Sequence, residues 1–172
     1  MDSQLKREFE AEFNSILKYW ADNAVDDENG GFYGQINACN NVNKSAAKGS
    51  VLNARILWTF SAAYNDNQSP EYLALAWRSF HYMKAFFVDE KFGGLYWAVD
   101  AKGRPMDAKK QIYALAFGIY GMAEFYKATK HAEALQLAKE LFYCIEEHSF
   151  DHDKGGYFEA FSREWSELAD LR

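Results

Sequence analysis

Asp26-Asp27-Glu28-Asn29-Gly30-Gly31-Phe32-Tyr33 is the stretch on which the fold turns, because the chain repeats it twice. The second copy is Asp89-Glu90-Lys91-Phe92-Gly93-Gly94-Leu95-Tyr96, and the third is Asp151-His152-Asp153-Lys154-Gly155-Gly156-Tyr157-Phe158. Their first glycines, Gly30, Gly93 and Gly155, lie 63 and then 62 residues apart. A Gly-Gly pair alone says little. Three copies at a near-constant period, each with Asp four residues ahead and aromatics behind, mark an internal structural repeat.

Each copy has the chemistry of a turn. Two glycines supply positive φ, the upstream Asp can accept nearby backbone N–H groups, and the aromatics that follow favour short strands. Small hairpins are therefore expected over 31–36, 94–99 and 156–161. Between the turns the pattern is helical, over 5–24, 45–65, 71–89, 109–129 and 131–148. Pro70 suits the first position of a helix, with Ser69 as its N-cap. Each period thus holds one helix before and one after its turn.

The two kinds of helix differ. The stretch 112–126 contains a single charged residue, Glu124, and 51–64 contains only Arg55. Helices so apolar are expected to be buried on most sides. By contrast, Arg78, His81 and Lys84 interrupt the stripe of 71–89, which predicts one face in water. The alternation predicts an all-α architecture of two concentric layers, with the helix after each turn on the inside. Six such hairpins would close a ring in roughly 370 residues. The 172 residues hold fewer than three, and only 162–172 follow the third motif. The expectation is one partial domain over 1–172, cut on its C-terminal side. An open half-ring predicts self-association through exposed inner-helix faces, or a partner that fills the gap.

Composition sets the outer bounds. The chain is 49% hydrophobic and 17% aromatic, which excludes a disordered chain. A net charge of −6 argues against nucleic acid or an anionic membrane as a partner. The longest apolar run, 112–123, falls short of the roughly 18–20 residues that span a bilayer. The charged N-terminal residues lack an apolar signal core. The two cysteines, Cys39 and Cys144, suggest no disulfide framework. A cytoplasmic protein is expected.

Arg55, inside an apolar inner helix, is the first candidate site residue. A guanidinium there needs acceptors: a carboxylate in a structural ion pair, or ligand hydroxyls and a developing oxyanion. Tyr113 is the second. Arg55 and Tyr113 both fall 20 to 25 residues after their turns, so they are expected at the same end of the ring. Trp97 and Tyr33 follow turns and could serve as stacking platforms on the rim or as hairpin packing. Glu159 is a hydroxyl acceptor or an exposed loop carboxylate. His148 and His152 are four apart, a metal-pair spacing on a helix, but a helix is expected to end between them and no third ligand is evident. His81 and His131 read as outer-layer surface residues. No P-loop, dinucleotide fingerprint or nucleophile elbow is present.

Four stretches together resemble the cellobiose 2-epimerases of the N-acylglucosamine 2-epimerase superfamily. They are Asp27-Glu28-Asn29-Gly30-Gly31-Phe32-Tyr33-Gly34, Lys48-Gly49-Ser50-Val51-Leu52-Asn53-Ala54-Arg55-Ile56-Leu57-Trp58, Lys110-Gln111-Ile112-Tyr113-Ala114-Leu115-Ala116-Phe117 and Gly155-Gly156-Tyr157-Phe158-Glu159-Ala160-Phe161. The resemblance covers nearly the whole chain, in order. It implies an (α/α)6 barrel, in agreement with the period count. It also implies epimerisation at C2 of the reducing-end glucose of β-1,4 disaccharides, with no metal or organic cofactor. Arg55 matches the family's active-site arginine and is assigned to enediolate stabilisation. Tyr113 matches its active-site tyrosine and is assigned to substrate positioning, with Trp97 as a further substrate-binding candidate. The family's catalytic histidines lie on inner helices beyond the third hairpin, hence beyond Arg172, so the chain by itself is expected to be inactive.

Overall fold

The computed structural model describes residues 3–168. Five α-helices dominate: α1 Ser3–Asn23, α2 Ser50–Asn67, α3 Pro70–Tyr82, α4 Ile112–Thr129 and α5 Ala132–Ser149. Helix α3 runs on into a π-helical turn, Met83–Phe87. The strands are short: β1 Lys48–Gly49, β2 Ala98–Val99, β3 Pro105–Asp107, β4 Lys110–Gln111 and β5 Ala160–Phe161. Among the described residues no helix is long and apolar enough to cross a membrane.

Two of the expected helices begin later than the periodicity suggests, α2 at Ser50 and α4 at Ile112. The cause is pairing with the next repeat. Lys48 and Gly49 pair antiparallel with Val99 and Ala98, while Lys110 and Gln111 pair with Phe161 and Ala160. A residue whose backbone belongs to a ladder is not free to start a helix. The segments after the second and third Gly-Gly turns are therefore ties between repeats as much as local hairpins. Each turn itself closes through one bridge, Val25 to Phe32, Val88 to Leu95 and Phe150 to Tyr157. Pro70 does occupy the first turn of α3 with Ser69 before it, although the serine side chain makes no capping bond.

The layers follow from packing. Helices α2 and α4 lie side by side, with α3 against α2 and α5 against α4. The inner pair approaches closely because Gly121 faces the Ala54 carbonyl, where an added Cβ would sit 2.6 Å from the oxygen. Between inner and outer layers, Phe80 stacks on Phe125 at 4.7 Å and Trp77 meets Phe125 edge-on at 4.8 Å. Phe32 stacks on Phe60 and anchors the first turn in the same core. Helix α1 is the least engaged. Leu17 is buried, whereas Leu5, Phe9, Phe13 and Ile16 stay exposed along one side.

Candidate functional site

The inner helices are buried or half-buried on most sides, as their composition predicts, but each leaves one face open. On α4, Tyr113, Ala116, Phe117 and Tyr120 recur at helical spacing and share one face. On α2, Arg55, Trp58 and Thr59 do the same. These two faces line an open groove of about 780 Å³. Arg55 and Tyr113 thus lie along one groove. Tyr113 is 53% exposed, and Arg55 is exposed as well, with no ion pair to a carboxylate among the described residues. Of the two roles open to this guanidinium, the structural ion pair is not formed here.

The groove wall is a run of rings. Tyr113 meets Phe117 at 4.9 Å, Phe117 meets Tyr120 at 6.1 Å, and Tyr120 stacks on Trp58 at 4.9 Å. The Arg55 guanidinium carbon lies 6.0 Å from the Phe117 ring centre, the outer limit of a cation–π contact. One cation beside flat aromatic faces can hold a polyhydroxylated ring and stabilise an oxyanion on it. Trp58, Thr59, Phe117 and Tyr120 are groove-lining residues that composition did not single out. Their signal was positional: each lies three, four or seven residues from Arg55 or Tyr113.

Two backbone ties set the start of the site helices. The Trp97 carbonyl accepts the Ser50 N–H at 3.1 Å and the Ser50 hydroxyl at 3.0 Å. The Glu159 carbonyl accepts the Ile112 N–H at 2.9 Å, and its carboxylate accepts the Tyr113 N–H at 3.3 Å. Trp97 is half-buried, with the Lys109 ammonium 5.3 Å from its ring centre, and it is not among the residues that line the groove. Tyr33 is half-buried as well, its N–H donating to the Ala24 carbonyl. No histidine lines the groove. His148 stacks on Trp165, His152 meets Phe150, and His81 and His131 pack around Trp77 and Phe80. Among the described residues no group of three or more His, Cys, Asp or Glu is placed to hold a metal ion.

Behind the site lie buried charges. Lys48 donates to Asp26 at 2.7 Å and Lys110 to Asp89 at 2.9 Å, all four side chains being essentially inaccessible. Arg163 adds a two-point contact to Asp89, at 2.8 and 3.0 Å. Burial pushes the Asp89 carboxyl up, but Arg163, Lys110 and the Lys91 amide together hold it well below the usual carboxylate range. Asp26 is lowered in the same way: Lys48 and the amides of Asn29 and Glu28 outweigh burial. Burial pushes the Lys110 ammonium down against the pull of Asp89.

The family model for N-acylglucosamine 2-epimerase (GlcNAc 2-epimerase) matches residues 31–172. The chain belongs to the N-acylglucosamine 2-epimerase family. Within that family it is 51% identical to the cellobiose 2-epimerase of Bacteroides fragilis over its whole length, which is 44% of the relative's. The solved cellobiose 2-epimerase of Bacillus thermoamylovorans superposes with a TM-score of 0.89 at 39% identity, covering 95% of this chain and 43% of that one. A D-mannose isomerase structure superposes with a TM-score of 0.86 at 22% identity and shares the fold. The chain therefore spans under half the length of these family members. Its helix pairs form about the first half of an (α/α)6 toroid, with α2 and α4 in the inner ring.

Proposed function

We propose that the whole protein carrying this chain is a sugar 2-epimerase acting on the reducing-end glucose of cellobiose- or lactose-type β-1,4 disaccharides. The observation that carries this reading is the groove: an unpaired guanidinium, Arg55, and a phenol, Tyr113, on adjacent inner helices against a wall of aromatic rings. In the proposed reaction the sugar ring opens and the C1 aldehyde acidifies the C2–H bond. A base removes that proton, and the electron pair moves into an enediolate. The intermediate turns about C2–C3, and a proton returns to the opposite face of C2. Such steps suit general acid–base groups with pKa near the working pH. Arg55 stabilises the enediolate oxygens. Tyr113 positions the sugar, and Trp97 acts at the rim. The scheme uses no metal or organic cofactor.

The proton-transferring histidines are assigned to the part of the protein beyond residue 172. No histidine in the present chain lines the groove, so the chain alone is proposed to be inactive and to self-associate through this open face. A cytoplasmic location completes the proposal. The test is to incubate the whole protein and the 172-residue chain separately with cellobiose in D2O. Glucosyl-mannose carrying deuterium at C2, formed by the whole protein alone, is the expected result. Turnover by the chain would remove the inactivity argument. Activity on mannose or N-acetylglucosamine but not on cellobiose would reassign the substrate.

A further inference from the structure

We infer that Lys48 and Lys110 are positioning residues for the groove, each fixing one site helix against its Gly-Gly turn through a buried aspartate. The two constellations are built alike. Asp26 uses one carboxylate oxygen to accept the N–H groups of Glu28 and Asn29, at 3.1 and 2.9 Å. The other oxygen accepts the Lys48 ammonium, which also donates to the Gly30 carbonyl at 2.7 Å. Asp89 likewise accepts the N–H groups of Lys91 and Phe92 on one oxygen and the Lys110 ammonium on the other. In both repeats the lysine stands two residues before an inner helix, in the short strand that binds the next repeat.

Position in the fold decides what such a pair can do. Arg55 lies seven residues beyond Lys48 and Tyr113 three beyond Lys110, each on the helix its lysine precedes. A buried ion pair is a poor source of stability, because well-packed apolar side chains often do as well in its place. What a pair of fixed length does supply is register: it admits one placement of helix start against turn. The same pair, built twice at the two points that set the height of the site helices, fits that role. Asp89 extends it, since Arg163 ties the segment after the third turn to the same carboxylate.

The inference rests on the proposed epimerase reading for its kinetic arm only. Two neutral double variants of the whole protein test it. Asp26→Asn with Lys48→Met keeps the acceptor for the turn N–H groups and removes both charges. Asp89→Asn with Lys110→Met removes the equivalent pair at the second turn and also takes the carboxylate from Arg163. Lys110→Met alone is the milder form, because Arg163 still pairs Asp89.

The expected outcome is a split. Displacing Arg55 through Lys48 lowers kcat by up to about 10²-fold, as an ångström-scale misplacement does. Displacing Tyr113 through Lys110 raises KM by about tenfold with little change in kcat. A merely stabilising pair would lower the unfolding temperature and leave both constants of the folded enzyme unchanged, and that result overturns the inference. The second readout needs no activity. Hydrogen exchange at the Ser50 and Ile112 amides, which tie the helix starts to Trp97 and Glu159, is expected to quicken in the matching variant only. Unchanged exchange in a folded variant also overturns it. A wild-type protein that epimerises no sugar defeats the functional reading instead and leaves the exchange result to decide this one.

Discussion

Trp58 and Tyr120 stand 62 residues apart in sequence and stack on each other in the groove wall, their ring centres 4.9 Å apart and their planes 11° from parallel. The same interval separates Ser50 from Ile112, the first residues of α2 and α4, so the two rings occupy the same position on successive inner helices. Arg55 and Phe117 are related by the same interval and also meet. Equivalent positions of the repeat thus face each other across α2 and α4, and the groove wall is the repeat read sideways. Tyr120→Ala is expected to cost about 1–2 kcal/mol, of which about 0.5–1.5 is the ring pairing itself. Urea unfolding of the chain measures it.

The first and third turns differ in what surrounds their glycines. Gly31 has φ +62°, and a Cβ there would lie 2.6 Å from Cγ of the buried Tyr82; Gly155 has φ +72° and nothing within 4 Å. Gly155→Ala should cost only the left-handed strain, about 1–2 kcal/mol. Gly31→Ala adds overpacking of about 1–3 kcal/mol. Comparable losses at both positions in thermal unfolding would contradict this reading of the first turn.

The repeat was legible because its glycines need a backbone few other residues adopt, and its helices because their apolar spacing is periodic. The face that forms the site was not. Composition cannot show which side of an apolar helix opens onto a groove, so for Arg55 a structural ion pair and a ligand contact both stood open; it is exposed and forms no ion pair among the described residues. The late starts of α2 and α4 were hidden because the pairing strands come from the following repeat. The Asp26–Lys48 pair was hidden for a related reason, since the partner of a buried charge is chosen by tertiary contact. Its echo in Asp89 and Lys110 was present in the sequence all the same, at nearly the same separation.

Tyr82 presents a different case. Its ring fills the space beneath the first turn, yet its hydroxyl is buried with no hydrogen-bond partner among the described residues. Burial, with the charges of Asp26 and Asp100, pushes its pKa up to about 12. Removing an unsatisfied buried hydroxyl while keeping the ring relieves a cost of about 1–3 kcal/mol. Tyr82→Phe is therefore expected to leave the chain as stable or more so, measured by its urea midpoint.

Acid stability follows from the same turns. Asp26 and Asp89 have folded pKa values below those of an unfolded carboxylate, about 3.9. Their contribution is complete above the unfolded value and is lost as pH falls through the folded ones, because protonation then favours the unfolded chain. The urea midpoint is expected to hold from pH 7 to about 5 and to fall below about 4. Asp26→Asn with Lys48→Met should flatten part of that fall. A variant with the wild-type pH slope would show that Asp26 is not one of the groups responsible.

Arg55 separates stability from chemistry. It is exposed and makes no ion pair among the described residues, so Arg55→Ala should change the stability of the chain by no more than about 0.5 kcal/mol. In the whole protein the same change removes the cation assigned to the enediolate, and losing one such partner costs about 10²–10³ in kcat. Arg55→Lys keeps the charge without the planar fork, so it should recover only part of the loss, because a guanidinium can meet the C1 and C2 oxygens together and an ammonium meets them as a point charge. The measurement is kcat and KM on cellobiose beside the unfolding midpoint for all three proteins. A raised KM with unchanged kcat in Arg55→Ala would mean that the guanidinium binds the ground-state sugar and leaves the enediolate to another group.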